Sequence, residues 1–168
     1  NLYGAYAYLW TTVGRTWNAY DPLTGRWKYS IENVPSGTRN YGPNGEILVY
    51  TVDTGDGWMT QWNSTSVVFK TYMDYYLSNP SQAANAKYYS ERWRPYGIKF
   101  DASAGYDWNV TITTGLSGRA GVYNPGDRII GYDILRSRPN EEPISVWGLS
   151  LKPGQQGLLL FNETWQPP

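Results

Sequence analysis

The chain has no cysteine and no histidine. Those absences remove thiolate nucleophiles, Ser-His-Asp triads, imidazole zinc sites and cysteine-held clusters. They also remove disulfides, so stability must come from packing alone. No run in the sequence approaches the ~18 consecutive apolar residues of a membrane-spanning helix. Charge is scarce: 17% of residues are charged, against a usual value of about 25%. Lys plus Arg is 14 and Asp plus Glu is 14, a formal net charge of zero. Nucleic acid and anionic membranes select a basic face, so neither is an expected partner. A neutral surface also lacks the self-repulsion that keeps proteins apart.

Phenylalanine is scarce too, with 3 residues beside 9 Trp and 16 Tyr. Phe serves a dry core as well as any aromatic, whereas Tyr and Trp carry a polar tip suited to half-wet surfaces and interfaces. A β-protein core built from Tyr and Trp is the plainer explanation. The 168 residues suit one domain. The sequence opens at Asn1 without Met, which reads as a mature secreted protein whose leader has been removed.

Residues 1–13 form an apolar run. Leu2, Tyr6, Tyr8 and Trp10 fall on one strand face, and Tyr3, Ala5, Ala7, Leu9 and Val13 on the other. Neither face carries a charge, the pattern of a strand covered on both sides. Further strands are expected over 26–31, with Trp27, Tyr29 and Ile31 on one face, and over 46–52. In the second half they are expected over 98–102, 106–114, 121–123, 128–135, 144–149 and 157–161. Turn chemistry marks Asp21–Gly25, Asp53–Gly57, Asn124–Asp127 and Lys152–Gly154, while 35–45 reads as a loop. Residues 66–77 fit helix or strand. Residues 79–93 read as a helix, with Asn79 as N-cap and Pro80 at its first position. The fold class is mainly β, an antiparallel β-sandwich of jelly-roll or immunoglobulin-like type, with one or two short helices around 66–93.

Without histidine, paired carboxylates could still perform glycosidase chemistry. Asp53, Asp56, Asp74, Asp101, Asp107, Glu141 and Glu142 are the candidates, but the turn acids are explained by turn chemistry and no catalytic residue is assigned. Asp53–Gly57 is oxygen-rich yet lacks the spacing and closing Glu of a calcium loop; a hairpin turn is preferred, and no cofactor is expected from a specific motif, with calcium held by scattered loop carboxylates as the alternative. Asn63, Asn109 and Asn162 each begin an Asn-x-Ser/Thr sequon, a candidate glycosylation acceptor in a secreted protein. Trp58, Trp62, Trp93, Trp108, Trp147 and Trp165 either fill the core or include a sugar-stacking platform.

Two turn-and-strand segments carry a resemblance. Asn124-Pro125-Gly126-Asp127 before an apolar strand, and Leu151-Lys152-Pro153-Gly154-Gln155 before Leu158–Asn162, resemble the Leu-x-Pro-Gly-Asp pattern of the TasA/camelysin family. Gln155 stands where that pattern has an acidic residue. Members of that family are secreted β-sandwiches that polymerise into biofilm fibres. The Cys-free, Tyr/Trp-rich, low-charge composition is similar to that of archaeal extracellular filament subunits: threads, bundling pili and cannulae. The resemblance implies a homopolymer formed by donor-strand complementation. Residues 1–13 would be the donor strand, through Leu2, Tyr3, Tyr6, Tyr8, Leu9, Trp10 and Val13, and 14–168 a single sandwich domain. The expected role is adhesion or biofilm structure outside the cell, without catalysis. The alternative is a secreted carbohydrate-binding β-sandwich, and the third reading a secreted glycosidase.

Overall fold

Gly14 is where the N-terminal apolar run folds back. Its φ of 59° lies in the left-handed region that a side chain resists, and it ends one strand and starts the next. A computed structural model describes residues 8–79, 95–133 and 143–165. The protein is mainly β, with three four-stranded sheets and one α-helix among the described residues. The expected helix over 79–93 lies outside the described residues except for Asn79.

The strands are β1 (Leu9–Val13), β2 (Thr16–Tyr20), β3 (Trp27–Glu32), β4 (Thr38–Tyr41), β5 (Ile47–Asp53), β6 (Trp58–Asn63), β7 (Ile98–Asp101), β8 (Tyr106–Thr111), β9 (Arg119–Asn124), β10 (Arg128–Asp133), β11 (Ile144–Ser150) and β12 (Leu159–Trp165); helix α1 spans Ser64–Ser78. The sheets run β1-β2-β3-β7, β4-β5-β6-β8 and β12-β11-β10-β9. The chain gathers into two compact units, residues 1–49 with 61–108 and residues 50–60 with 109–168.

In the first unit, β1, β2 and β3 pair antiparallel while β3 and β7 pair in parallel, Tyr29 opposite Ile98 through Glu32 opposite Asp101. That one parallel pair departs from the all-antiparallel expectation. A parallel pair needs a long crossover, and the chain between β3 and β7 supplies it, α1 included. The inner face of this sheet buries Trp17, Ala19, Tyr29, Ile31 and Phe100 against Ile47, Val49 and Trp62 and against Val67, Val68 and Tyr72 of α1. The layer is therefore dense in aromatic rings, as the composition foretold, with edge-to-face pairs at Trp17–Trp62 (5.4 Å) and Tyr29–Phe100 (5.6 Å). Such contacts add about 0.5–1.5 kcal/mol each beyond area burial.

The ambiguous segment resolves as helix α1 because Asn63 caps it. The Asn63 Oδ1 accepts the Thr65 N–H at 2.9 Å, satisfying one of the first-turn donors. The buried stripe is Val67, Val68 and Tyr72, while Phe69 is exposed. Asn79 closes this helix, its amide donating to the Tyr75 carbonyl at 3.0 Å.

The second unit contains the meander β9-β10-β11-β12, antiparallel throughout. Ile129, Trp147 and Leu149 form its buried side. Position 131 must be glycine, because a Cβ there would lie 1.9 Å from the Trp147 ring. The turns read from sequence close as expected: the Asp127 N–H bonds the Asn124 carbonyl at 3.0 Å and the Gln155 N–H the Lys152 carbonyl at 2.9 Å.

Candidate functional site

Strand β1 has one partner among the described residues, β2. Its pairing is regular, Leu9 opposite Tyr20 through Val13 opposite Thr16, with no bulge. Arg15 anchors the tip of this hairpin. Its guanidinium donates to the carbonyls of Val34 and Asn33, both at 3.1 Å, and its own carbonyl accepts the Val34 N–H at 2.9 Å. The second edge of β1 carries Leu-Trp-Thr-Thr-Val, without charge or proline. Natural sheets blunt an edge with lysine, proline or a bulge, and β1 has none of these.

The two faces of β1 differ. Tyr8 and Trp10 turn inward and meet Tyr29 edge to face at 5.2 and 5.6 Å. Leu9 and Val13 turn outward and are 57% and 72% exposed. Among the described residues β1 borders its sheet and Leu9 and Val13 on its outer face are exposed, so the expected cover on both faces is seen there on the inner face alone. Leu2, Tyr3 and Tyr6, the remaining residues of the expected donor strand, lie outside the described residues.

The outer face of the same sheet holds an aromatic and polar array. Sequence alternation put Trp27 on the side of Tyr29 and Ile31. A register shift between Ala19 and Tyr20 instead sets Trp27 opposite Tyr20, so Trp27 stands on the outer face and is 37% exposed. The irregularity that moves it leaves no mark in an alternating pattern. The Trp27 indole N–H donates to Ser30 Oγ at 3.0 Å, and the Ser30 hydroxyl donates to Asn18 Oδ1 at 2.7 Å.

The tryptophans singled out for sugar stacking divide. Trp62 and Trp147 are fully buried, and each donates its N–H to a backbone carbonyl at 2.7 Å, Ala102 and Ser117 respectively. Trp58 and Trp108 are half-buried and Trp165 is exposed; Trp93 lies outside the described residues. Of the sequons, Asn109 and Asn162 are exposed on β8 and β12. Asn63 is half-buried, and besides capping α1 its amide donates to Asp107 at 3.0 Å.

Asp53, Asp101 and Asp107 are held in structural hydrogen bonds. Asp107 also accepts from Ser66 at 2.5 Å and Gln61 at 3.2 Å, and Lys70 stands 3.6 Å away, so it ties β6 and α1 to β8. Asp53 accepts the N–H groups of Gly55 and Asp56 at 3.0 and 2.9 Å, the hairpin turn expected from sequence. Glu141 and Glu142 lie outside the described residues. Among the described residues no three acids converge on a point that could hold a metal ion, and no helix is long and apolar enough to cross a membrane.

Three acids, Asp101 exposed and Asp21 and Asp127 half-buried, are held below the usual carboxylate range. Hydrogen bonds from the Leu23 backbone lower Asp21, those from Ser103 lower Asp101, and the Arg128 side chain lowers Asp127. A carboxyl with a lower pKa folded than unfolded contributes stability above its unfolded value, near 3.9, and loses it as pH falls through the folded value. With no histidine or cysteine in the chain, no side chain of ordinary pKa titrates between about pH 5 and 8. The melting temperature should therefore be flat from about pH 5 to 8 and fall below about pH 4. Thermal melts across that range check this, and a step near pH 6–7 would contradict it.

No protein-family model matches the chain, and no curated protein or solved structure is significantly similar to it.

Proposed function

We propose that this chain is a secreted, non-catalytic structural protein that polymerises with copies of itself into an extracellular filament, and that the outer edge of β1 is the joint. The uncharged, unbulged edge of β1, which has no partner among the described residues, carries this reading. An added strand would complete its backbone pairing and cover Leu9 and Val13, as in other strand-addition complexes. The zero net charge leaves little long-range repulsion to oppose it.

The added strand is residues 1–7 of a neighbouring copy. Leu2, Tyr3 and Tyr6 supply apolar side chains there, and seven extended residues reach about 23 Å, enough to run the length of the five residues of β1. Tyr8 and Trp10 are already packed on their own core, so they take no part in the joint. Covering Leu9 and Val13 yields roughly 1–2 kcal/mol each. Association costs about 4 kcal/mol or more in lost freedom, so Leu2, Tyr3, Tyr6 and the backbone bonds must supply the rest. The joint should be concentration-dependent.

Removing residues 1–7 should leave a folded chain that sediments as a monomer at concentrations where the intact chain associates. A synthetic peptide of residues 1–7 should block association of the intact chain. Undiminished association of the shortened chain would refute the donor assignment.

A further inference from the structure

Independently of assembly, we propose that the outer face of the β1-β2-β3-β7 sheet binds a neutral glycan, with Trp27 as the stacking platform and Asn18 as the hydroxyl reader. Paired residues on neighbouring strands share a face, so the register builds two adjacent rows there. Leu9, Tyr20 and Trp27 form one, and Thr11, Asn18 and Ser30 the other. An exposed indole on a wet sheet face would ordinarily be free to choose its rotamer. This one is fixed, because its N–H is bonded to Ser30 at 3.0 Å, and Ser30 itself is 3% exposed.

The relay also sets the polarity of Asn18. An indole N–H can only donate, so Ser30 accepts from it and gives its own proton to Asn18 Oδ1 at 2.7 Å. The two N–H donors of the Asn18 amide are then turned away from Ser30, with no acceptor among the described residues. Tyr20 and Thr11 add hydroxyls to the same face. A rigid ring beside an oriented amide and two hydroxyls is complementary to a sugar, which offers a C–H face and a rim of hydroxyls.

Charge selects among sugars. The register places three charged residues on this face, Glu32, Lys99 and Asp101, and the one cation among them is paired with Glu32 at 2.9 Å. The remaining Asp101 carboxylate would repel a phosphate, sulfate or uronate, so the ligand is a neutral hexose polymer or oligosaccharide. This reading also covers residues the tryptophan pattern alone passed over, since only the register shift between Ala19 and Tyr20 brings Trp27 to Asn18.

Affinity electrophoresis of the intact chain tests it, with laminarin, mixed-linkage β-glucan, galactomannan and soluble starch as neutral probes and alginate and heparin as anionic ones. At least one neutral polysaccharide should retard the protein and neither anionic one should. Trp27→Ala should weaken that binding at least about tenfold, and Asn18→Ala by roughly three- to tenfold. Trp27→Phe, which keeps a ring but loses the N–H, should fall between the parent and the alanine variant. All three should keep the parent's sedimentation behaviour, which separates this site from the β1 joint. Retardation by no neutral probe, retardation only by anionic ones, or equal retardation of the parent and Trp27→Ala would overturn the proposal. So would loss of self-association in Trp27→Ala without glycan binding by the parent, because the face would then be an interface between copies.

Discussion

Lysine at positions 9, 11 and 13 should abolish self-association while leaving the fold in place. The three side chains stand on the outward face of β1, and all three residues are exposed. Substitutions at such sites usually change stability by about 0.5 kcal/mol or less, so the melting temperature should hold. Three like charges on one edge would have to be desolvated or repelled by any incoming strand, the device natural sheets use to keep edges single. Sedimentation velocity should find the triple variant monomeric where the parent associates. Association at the parent's concentration would remove β1 as the joint.

Replacing Trp62 by alanine should be the most damaging single change to the first unit. Trp62 is wholly buried, meets Trp17 edge to face at 5.4 Å and donates to the Ala102 carbonyl at 2.7 Å. Gly105 shows how tightly it is held: a Cβ there would lie 2.3 Å from the indole nitrogen. Truncation of a buried tryptophan costs about 3–5 kcal/mol, and leaving a buried carbonyl unmet adds about 1–3 kcal/mol. A domain has about 5–15 kcal/mol in total, so the variant should melt on the order of 10 °C lower or fail to fold. Trp62→Phe keeps a ring and loses the bond, and should fall between the two. A Trp62→Ala protein melting within about 3 °C of the parent would contradict the account of this core.

How far the sequence revealed these features follows from what each depends on. Strands β3, β5, β10 and β11 were legible because alternation and turn residues bracket them. Turns at Asp21, Asp53, Asn124 and Lys152 were legible because Asp, Asn, Pro and Gly act there through local bonds. Strand β2 was missed: the run before Gly14 drew the whole apolar signal, and Thr16–Tyr20 is too short to show a period. Strand β4, Thr-Arg-Asn-Tyr, has no buried residue and so no hydrophobic pattern to read. Strand β6 was missed beside the turn that precedes it. The parallel pairing of β3 with β7 depends on contacts about 70 residues apart in sequence, which no local window contains. At the candidate sites the N-terminal run was noticed for its lack of charge. Its division into an inward face on the core and an outward face on solvent needed the position of β1 at its sheet's edge. The Trp27–Ser30–Asn18 relay was hidden for a different reason, since a single register shift inverts the face that alternation assigns.

Negative-stain electron microscopy of the purified intact chain near neutral pH, over a range of micromolar concentrations, tests the central claim most directly. The account predicts unbranched filaments of uniform width that appear with rising concentration and are absent from the Leu9→Lys, Thr11→Lys, Val13→Lys variant under the same conditions. Uniform single particles of the parent at every concentration, or filaments undiminished in the triple variant, would contradict it.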